Sequence, residues 1–187
     1  FVAFAQSVAD IALSKFPASK EDLLSLPYND DLSVGEKITE QVGVIGEKVE
    51  LTDYLKLEEE LVVPYIHMGY RAGVIVGLNQ NNDDAVEAGK NVAMQVAAMK
   101  PIALDKDGVP ADVVERELQV GKEQALEAGK PEAMVEKIAM GKLNKFFSEV
   151  TLLNQAYIND GKKSVKQYLS EVDSDLNIKD FKRFSLS

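Results

Sequence analysis

The sequence predicts an α+β fold, and three observations predict it. Apolar residues recur at helical spacing in several separate segments. A block between 48 and 78 switches to period-two alternation. Further on, two long helical stripes flank a three-residue break.

The elements follow in chain order. Phe4, Val8, Ile11 and Ala12 fall on one helical stripe, which predicts a first helix over 2–15, stopped by Pro17. Ser19 with Asp22 three residues on reads as the capped start of a short helix. Asn29-Asp30-Asp31 is a loop. Ser33 with Glu36 is a capping-box pattern that opens a helix to about Val44, and Gly46 stops it. The period then becomes two. Val49, Leu51, Leu55 and Leu57 share one face of an expected strand, with Lys48, Glu50, Lys56 and Glu58 on the other and Asp53 interrupting the apolar side. Residues 61–67 and 71–78 read as two further strands joined by a turn at Met68-Gly69. Pro64 confines the first of them to a sheet edge or a bulge. Residues 79–84 form a polar loop suited to capping the next helix. Ala85, Gly89, Val92, Val96 and Met99 then step by four, three, four and three, a helix over 83–99 that ends at Lys100-Pro101.

Residues 110–147 have a different character. Val113, Val114, Leu118 and Ala125 mark one long helix, with Pro110 near its first turn. Gly129-Lys130-Pro131 is a tight break. Val135, Ile138, Ala139, Leu143 and Phe146 mark a second long helix. Two such helices form an antiparallel hairpin, and the narrow apolar stripes suit a coiled coil projecting from a body. From about Val150 the chain returns to mixed structure, with a helix over 164–172 and a last strand containing Ile178, Phe181 and Phe184. The expected division is a first core subdomain at 1–60 and a second made of 61–109 and 148–187, interrupted by a helical insertion at 110–147.

Composition narrows the function classes. The 187 residues carry 31 acidic against 21 basic side chains, a formal charge of −10, which argues against a nucleic-acid surface. Lys142, Lys145, Lys162, Lys163 and Lys166 are the nearest approach to a basic cluster, and acidic residues dilute it. No apolar run approaches the ~20 residues of a membrane span. Without cysteine there is no disulfide framework and no thiolate zinc site, which fits a reducing compartment. One histidine, His67, is too few for zinc sites built on several His or Cys. Phosphate-binding and dinucleotide-binding glycine motifs are absent; 43–48 and 161–164 resemble fragments of the former with the wrong spacing. There is no nucleophile-elbow motif. Glu58-Glu59-Glu60 and Asp83-Asp84 read as solvated surface. Neither catalysis nor a cofactor or metal is expected. The opening Phe1-Val2-Ala3-Phe4-Ala5 reads as the interior of a longer polypeptide.

Three stretches resemble the elongation factor Ts family. Phe1-Val2-Ala3 is similar to the end of the family's Thr-Asp-Phe-Val-Ala motif. Ile45-Gly46-Glu47 is similar to its Ile-Gly-Glu segment. His67-x-Gly69-x-Arg71-x-Gly73-Val74 matches a third motif at the expected distance downstream. Lys100-Pro101, the 113–117 stretch Val-Val-Glu-Arg-Glu, Gly129-Lys130-Pro131, and Lys145-Phe146 with Glu149-Val150 support them in the same order along almost the whole chain. The Thr and Asp of the first motif, and the family's small N-terminal helical domain, lie outside this sequence.

The resemblance implies a guanine-nucleotide exchange factor of translation elongation, acting on the GTPase elongation factor Tu in the bacterial cytoplasm or in an organelle. It implies a core of two subdomains with antiparallel strands and packed helices, and a coiled-coil insertion that is a candidate for homodimer or heterotetramer contacts. It also implies partner-binding roles for Phe1, Val2, Ile45, Gly46, His67, Ile158 and Asn159. The Phe1 ring would wedge between two histidines of the GTPase beside its magnesium and phosphate site. Ile45 and Gly46 would touch the nucleotide-binding domain, and His67 and Ile158 the third domain. At Asn159 a polar residue stands where the family commonly has an apolar one. Read without the family, Phe1 is a frayed terminal residue, Gly46 a helix cap beside a core Ile45, His67 a satisfied or solvent-exposed histidine and Ile158 ordinary core. An assembly module built on the helical hairpin is the competing function class. A carboxylate-dependent hydrolase has no motif to support it.

Overall fold

The computed structural model describes residues 1–186, with the backbone alone for Met68. The chain separates into two compact units, Phe1–Lys56 and the residues from Leu57 onward.

In the first unit, helix α1 (Val2–Lys15) ends where Phe16 takes a left-handed conformation, φ 47°, before Pro17. Helix α2 (Lys20–Ser25) opens with a complete capping box between Ser19 and Asp22. Helix α3 (Val34–Ile45) opens with the same device, Ser33 and Glu36. The Ser33 backbone N–H donates to the Glu36 carboxylate and holds its pKa below the usual range. Gly46 closes α3 at φ 77°. These local signals set the helix ends. Val8, Pro17, Leu23 and Val34 are the buried side chains of this unit, and the Phe4 and Tyr28 rings meet with centroids 6.1 Å apart.

One sequence expectation is overturned here. Residues 48–58 form no strand, and the only β pairing in the first unit is an isolated bridge between Pro27 and Ser33. The antiparallel strands expected of a first subdomain are therefore missing. The half-buried positions after Glu50 are Leu51, Tyr54 and Leu57, a period of three rather than two. Side chains hold the segment in place of a ladder: the Tyr54 hydroxyl and the Lys56 ammonium both donate to the Pro17 carbonyl, and Lys20 donates to the Thr52 carbonyl. Alternation licenses a strand only where a neighbouring strand accepts its backbone groups.

The second unit is built on a three-stranded antiparallel sheet. Strand β1 (Leu61–Ile66) pairs with β2 (Ala72–Leu78), and β2 pairs with the last strand, so β2 is central and Pro64 sits on an edge strand. Helix α4 (Asp83–Met99), capped by Asn82, lays its buried stripe across one sheet face. Helix α5 (Ala111–Glu127) and helix α6 (Glu132–Val150) are joined by a short break with Gly129 at φ 67°. They run antiparallel, with Gly121 against Ala139 and Lys122 paired to Glu136. Leu143 and Phe147 pack with Ala103 and Val109 at the base of this pair. α6 runs three residues past the expected 147, to where the Thr151 hydroxyl bonds the Phe147 carbonyl.

A small hairpin follows, β3 (Ala156–Tyr157) with β4 (Asp160–Ser164), which sequence periodicity did not show. Helix α7 (Val165–Val172) has the Ser164–Gln167 capping box. Strand β5 (Ile178–Ser185) closes the sheet; a register shift near Gly77 and Leu78 lets Ile178 and Phe181, three apart, both join the core.

Gly89 of α4 marks a close approach between helix and sheet. A Cβ there would lie 2.6 Å from Val63 Cγ2 and 3.0 Å from Leu78 Cδ1. Gly89→Ala is expected to destabilise the second unit by about 1–3 kcal/mol despite the better helix propensity of alanine. Thermal unfolding followed by circular dichroism reads the effect, and an unchanged or raised midpoint would contradict this packing.

Candidate partner-binding surface

The residues singled out by sequence fall at the ends of elements. Each is described within its own unit.

Phe1 occupies the N-cap position of α1 and is 73% exposed, with Val2 at 54%. Its carbonyl accepts the first helical hydrogen bond, from Ala5 N–H at 2.9 Å, so the backbone under the ring is fixed. A ring this exposed contributes little to its own fold. At the far end of α3, Ile45 is 39% exposed beside the more exposed Val44, and Gly46 turns the chain. Nothing lies within 4 Å of the place a Gly46 Cβ would occupy, yet its positive φ excludes most other residues at low cost. Ile45 and Gly46 are thus a helix terminus displayed to solvent rather than a cap over a core isoleucine.

In the second unit, His67 is exposed at the β1–β2 connection. Its Nδ1 lies 3.2 Å from the Tyr65 hydroxyl and its backbone N–H donates to the Ala72 carbonyl. The turn that follows bends through Gly69 at φ 79° and Tyr70 at φ 57°. Ile66 and Tyr70 beside it are both more than half exposed. The tip is therefore apolar as well as histidine-bearing, a feature that sequence motif matching missed.

Ile158 and Asn159 are the two turn residues of the β3–β4 hairpin. Ile158 is 45% exposed, not core. Its backbone N–H donates to Gln95 Oε1 at 2.7 Å. Gln95 is fully buried on α4, and its Nε2 donates to Gln155 Oε1 and to the Ala156 carbonyl. The Asn159 amide donates to the Tyr157 hydroxyl, whose ring stacks on Tyr168 at 4.1 Å. Burial pushes the Tyr168 phenol up, and the Asn91 amide donates to it. Asn159 thus braces the turn, while Ile158 presents its side chain outward. Gln95 had a signal in the sequence: it lies on the apolar stripe between Val92 and Val96, where a buried amide demands partners.

Within each unit no hydrogen bond joins one of these groups to another. What unites them is presentation, with an exposed apolar or imidazole side chain on a backbone fixed by helix ends or turn bonds. Among the described residues no cluster of His, Cys, Asp or Glu is arranged to hold a metal, and no helix is long and apolar enough to cross a membrane. Two lysines of the basic cluster are held in ion pairs, Lys163 with Asp160 and Glu171 and Lys145 with Glu149.

Comparison with known proteins assigns the chain to a class, the translation elongation factors with a role in nucleotide exchange. The chain belongs to the elongation factor Ts family: the family described as Elongation factor TS matches residues 1–187. It is 50% identical over 188 residues to elongation factor Ts of Cytophaga hutchinsonii, covering all of this chain and 68% of that protein. It is 50% identical over 184 residues to that of Amoebophilus asiaticus, covering 98% and 66%, and 45% identical over 186 residues to that of Christiangramia forsetii, covering 100% and 67%. The chain thus spans about two thirds of the length of these relatives.

The Gln95 amide generates a prediction. Gln95→Leu removes the acceptor for Ile158 N–H and both donors to Gln155 and Ala156, with an expected cost of about 1–3 kcal/mol. Hydrogen exchange at the Ile158 amide should accelerate more than exchange in the β1–β2 ladder. Equal protection in both proteins would show that the turn does not depend on Gln95.

Proposed function

We propose that this chain binds elongation factor Tu in its GDP-bound form and promotes GDP release, with Phe1 as the wedge. Family membership supports the exchange role. The single observation that carries the residue-level reading is the Phe1 ring, large, rigid and 73% exposed on a fixed helix start. An apolar ring held in water on a fixed backbone is suited to insertion into a partner. Ile45 and Gly46, then His67, then Ile158 with Asn159, supply further contacts in this reading, and Val2 extends the wedge. Residues 110–147 act as an inserted coiled-coil module on a core made of 1–60, 61–109 and 148–187. The relatives compared above are bacterial, which supports action in a bacterial cytoplasm.

The mechanism is linkage. A factor that grips the nucleotide-free GTPase more tightly than the GDP-bound form must, by reciprocity, weaken GDP binding in the complex. Equal affinity for both forms would shift nothing. Displacing magnesium removes charge neutralisation from the diphosphate, so a ring wedged beside that site favours the empty state. No bond is made or broken, and this chain requires neither cofactor nor metal of its own.

Phe1→Ala tests the wedge. Burying the ring is worth about 1.5–3 kcal/mol, so release of labelled GDP from the GTPase should slow by about ten-fold or more. Folding stability should change by less than about 0.5 kcal/mol, because the side chain is exposed. Equal release rates for the two proteins at equal folded fraction would contradict the wedge role.

A further inference from the structure

Charge is divided along the three-stranded sheet. Acidic residues gather at the end where Leu61 pairs with Leu78: Glu58, Glu59 and Glu60 lead into β1, Asp83 and Asp84 open α4 shortly after Leu78, and Asp180 lies opposite Gly77. Toward the other end they stop. No acidic residue occurs in 61–82 or in 181–186, although the chain carries a formal charge of −10. That end holds His67, Arg71 just before β2, and Arg183 of β5. The chain has three arginines, and two of them stand here.

Arg183 is held in place but not neutralised. Strand pairing sets it opposite Val74, which lies opposite Tyr65, so the three share one sheet face. His67 continues that face, with its backbone N–H bonded to the Ala72 carbonyl and its Nδ1 3.2 Å from the Tyr65 hydroxyl. Ala72 pairs with Ser185, and Arg183 Nη1 donates to Ser185 Oγ at 3.1 Å, so the guanidinium leans toward the same end. Its Nε is cut off from water without a partner. Among the described residues every ion pair is made by a lysine and none by an arginine. A half-buried guanidinium with unmatched charge costs the fold, and its planar fork fits a carboxylate.

We propose that Arg183 is a further partner-binding residue, taking a carboxylate of elongation factor Tu at this end of the sheet. Arg71 adds to the field there, and the exposed Ile66 and Tyr70 supply apolar contact beside it. The proposal rests on the reading above of His67 as a partner contact, and it adds the chemistry of what His67 meets: an apolar patch bearing an acidic side chain. Such a segment approaches this end without meeting the chain's own carboxylates and is repelled at the other.

Calorimetric titration of the nucleotide-free GTPase with the 187-residue chain, at low and at high salt, tests this. The parent should bind, less tightly as salt rises. Arg183→Gln should bind about ten-fold more weakly at low salt and lose much of the salt dependence. Arg183→Lys should lose less affinity and keep the salt dependence. Arg71→Gln, at an exposed position, should fold like the parent by circular dichroism, bind about three-fold more weakly and show a reduced salt dependence. Should Arg183→Gln lose the parental fold, the Arg183→Lys and Arg71→Gln results decide. Parental affinity in folded Arg183→Gln, or parental salt dependence in Arg71→Gln, would overturn the proposal and leave the exchange role standing. Weaker binding by Arg183→Gln with an unchanged salt dependence would mark a structural arginine and overturn it equally. A parent that does not bind the GTPase at all would remove the exchange reading and this one together.

Discussion

The second unit turns on a pair of buried amides. Gln95 on α4 and Gln155 after α6 are both fully or almost fully excluded from water, and each uses the other as a partner. Gln95 then holds the β3–β4 turn, while Gln155 reaches the Met99 carbonyl at the end of α4 and the Glu149 carbonyl near the end of α6. One hydrogen-bonded chain therefore joins the helix on the sheet, the root of the helix pair and the small hairpin. A buried amide without partners is costly, so this geometry is a condition of folding rather than an embellishment of it.

The same logic of fixed backbone and free side chain runs through the candidate surface. Phe1 stands on the first turn of α1, Ile45 on the last turn of α3, His67 where β1 leaves the sheet and Ile158 on a turn tied to Gln95. In each case the backbone hydrogen bonds are made inside the unit and the side chain contributes little to stability. Such a residue is free to serve recognition, because its loss costs the fold little. Ordering the backbone beforehand also lowers the entropy that binding must overcome.

Much of the fold was legible in the sequence, wherever the signal was local. Ser19 with Asp22, Ser33 with Glu36 and Gly46 are capping devices that act within four residues, and they mark the observed helix ends. The stripe from Ala85 to Met99 gave the α4 boundaries for the same reason. The failures lie where a partner distant in sequence decides. Residues 48–58 alternate, but no strand accepts them. The two-residue β3 is too short to show any period, and its position is set by Gln95, about sixty residues away. The candidate site was legible through motif resemblance only. Sequence cannot show that Phe1 is exposed while the similar Phe4 packs on Tyr28, because both lie in the same apolar opening.

The contact between Gly121 and Ala139 fixes more than the spacing of two helices. A Cβ on Gly121 would come within 3.2 Å of the Ala139 main chain, so the helices touch there almost backbone to backbone. Sliding one helix past the other by a turn would drive a bulkier side chain into that slot. The notch therefore locks the register of one helix against the other, while the residue count of each helix sets the reach to the bend at Gly129. The α5–α6 arm is in that sense a ruler whose two edges cannot slip, and whatever meets its tip meets both helices in one fixed alignment.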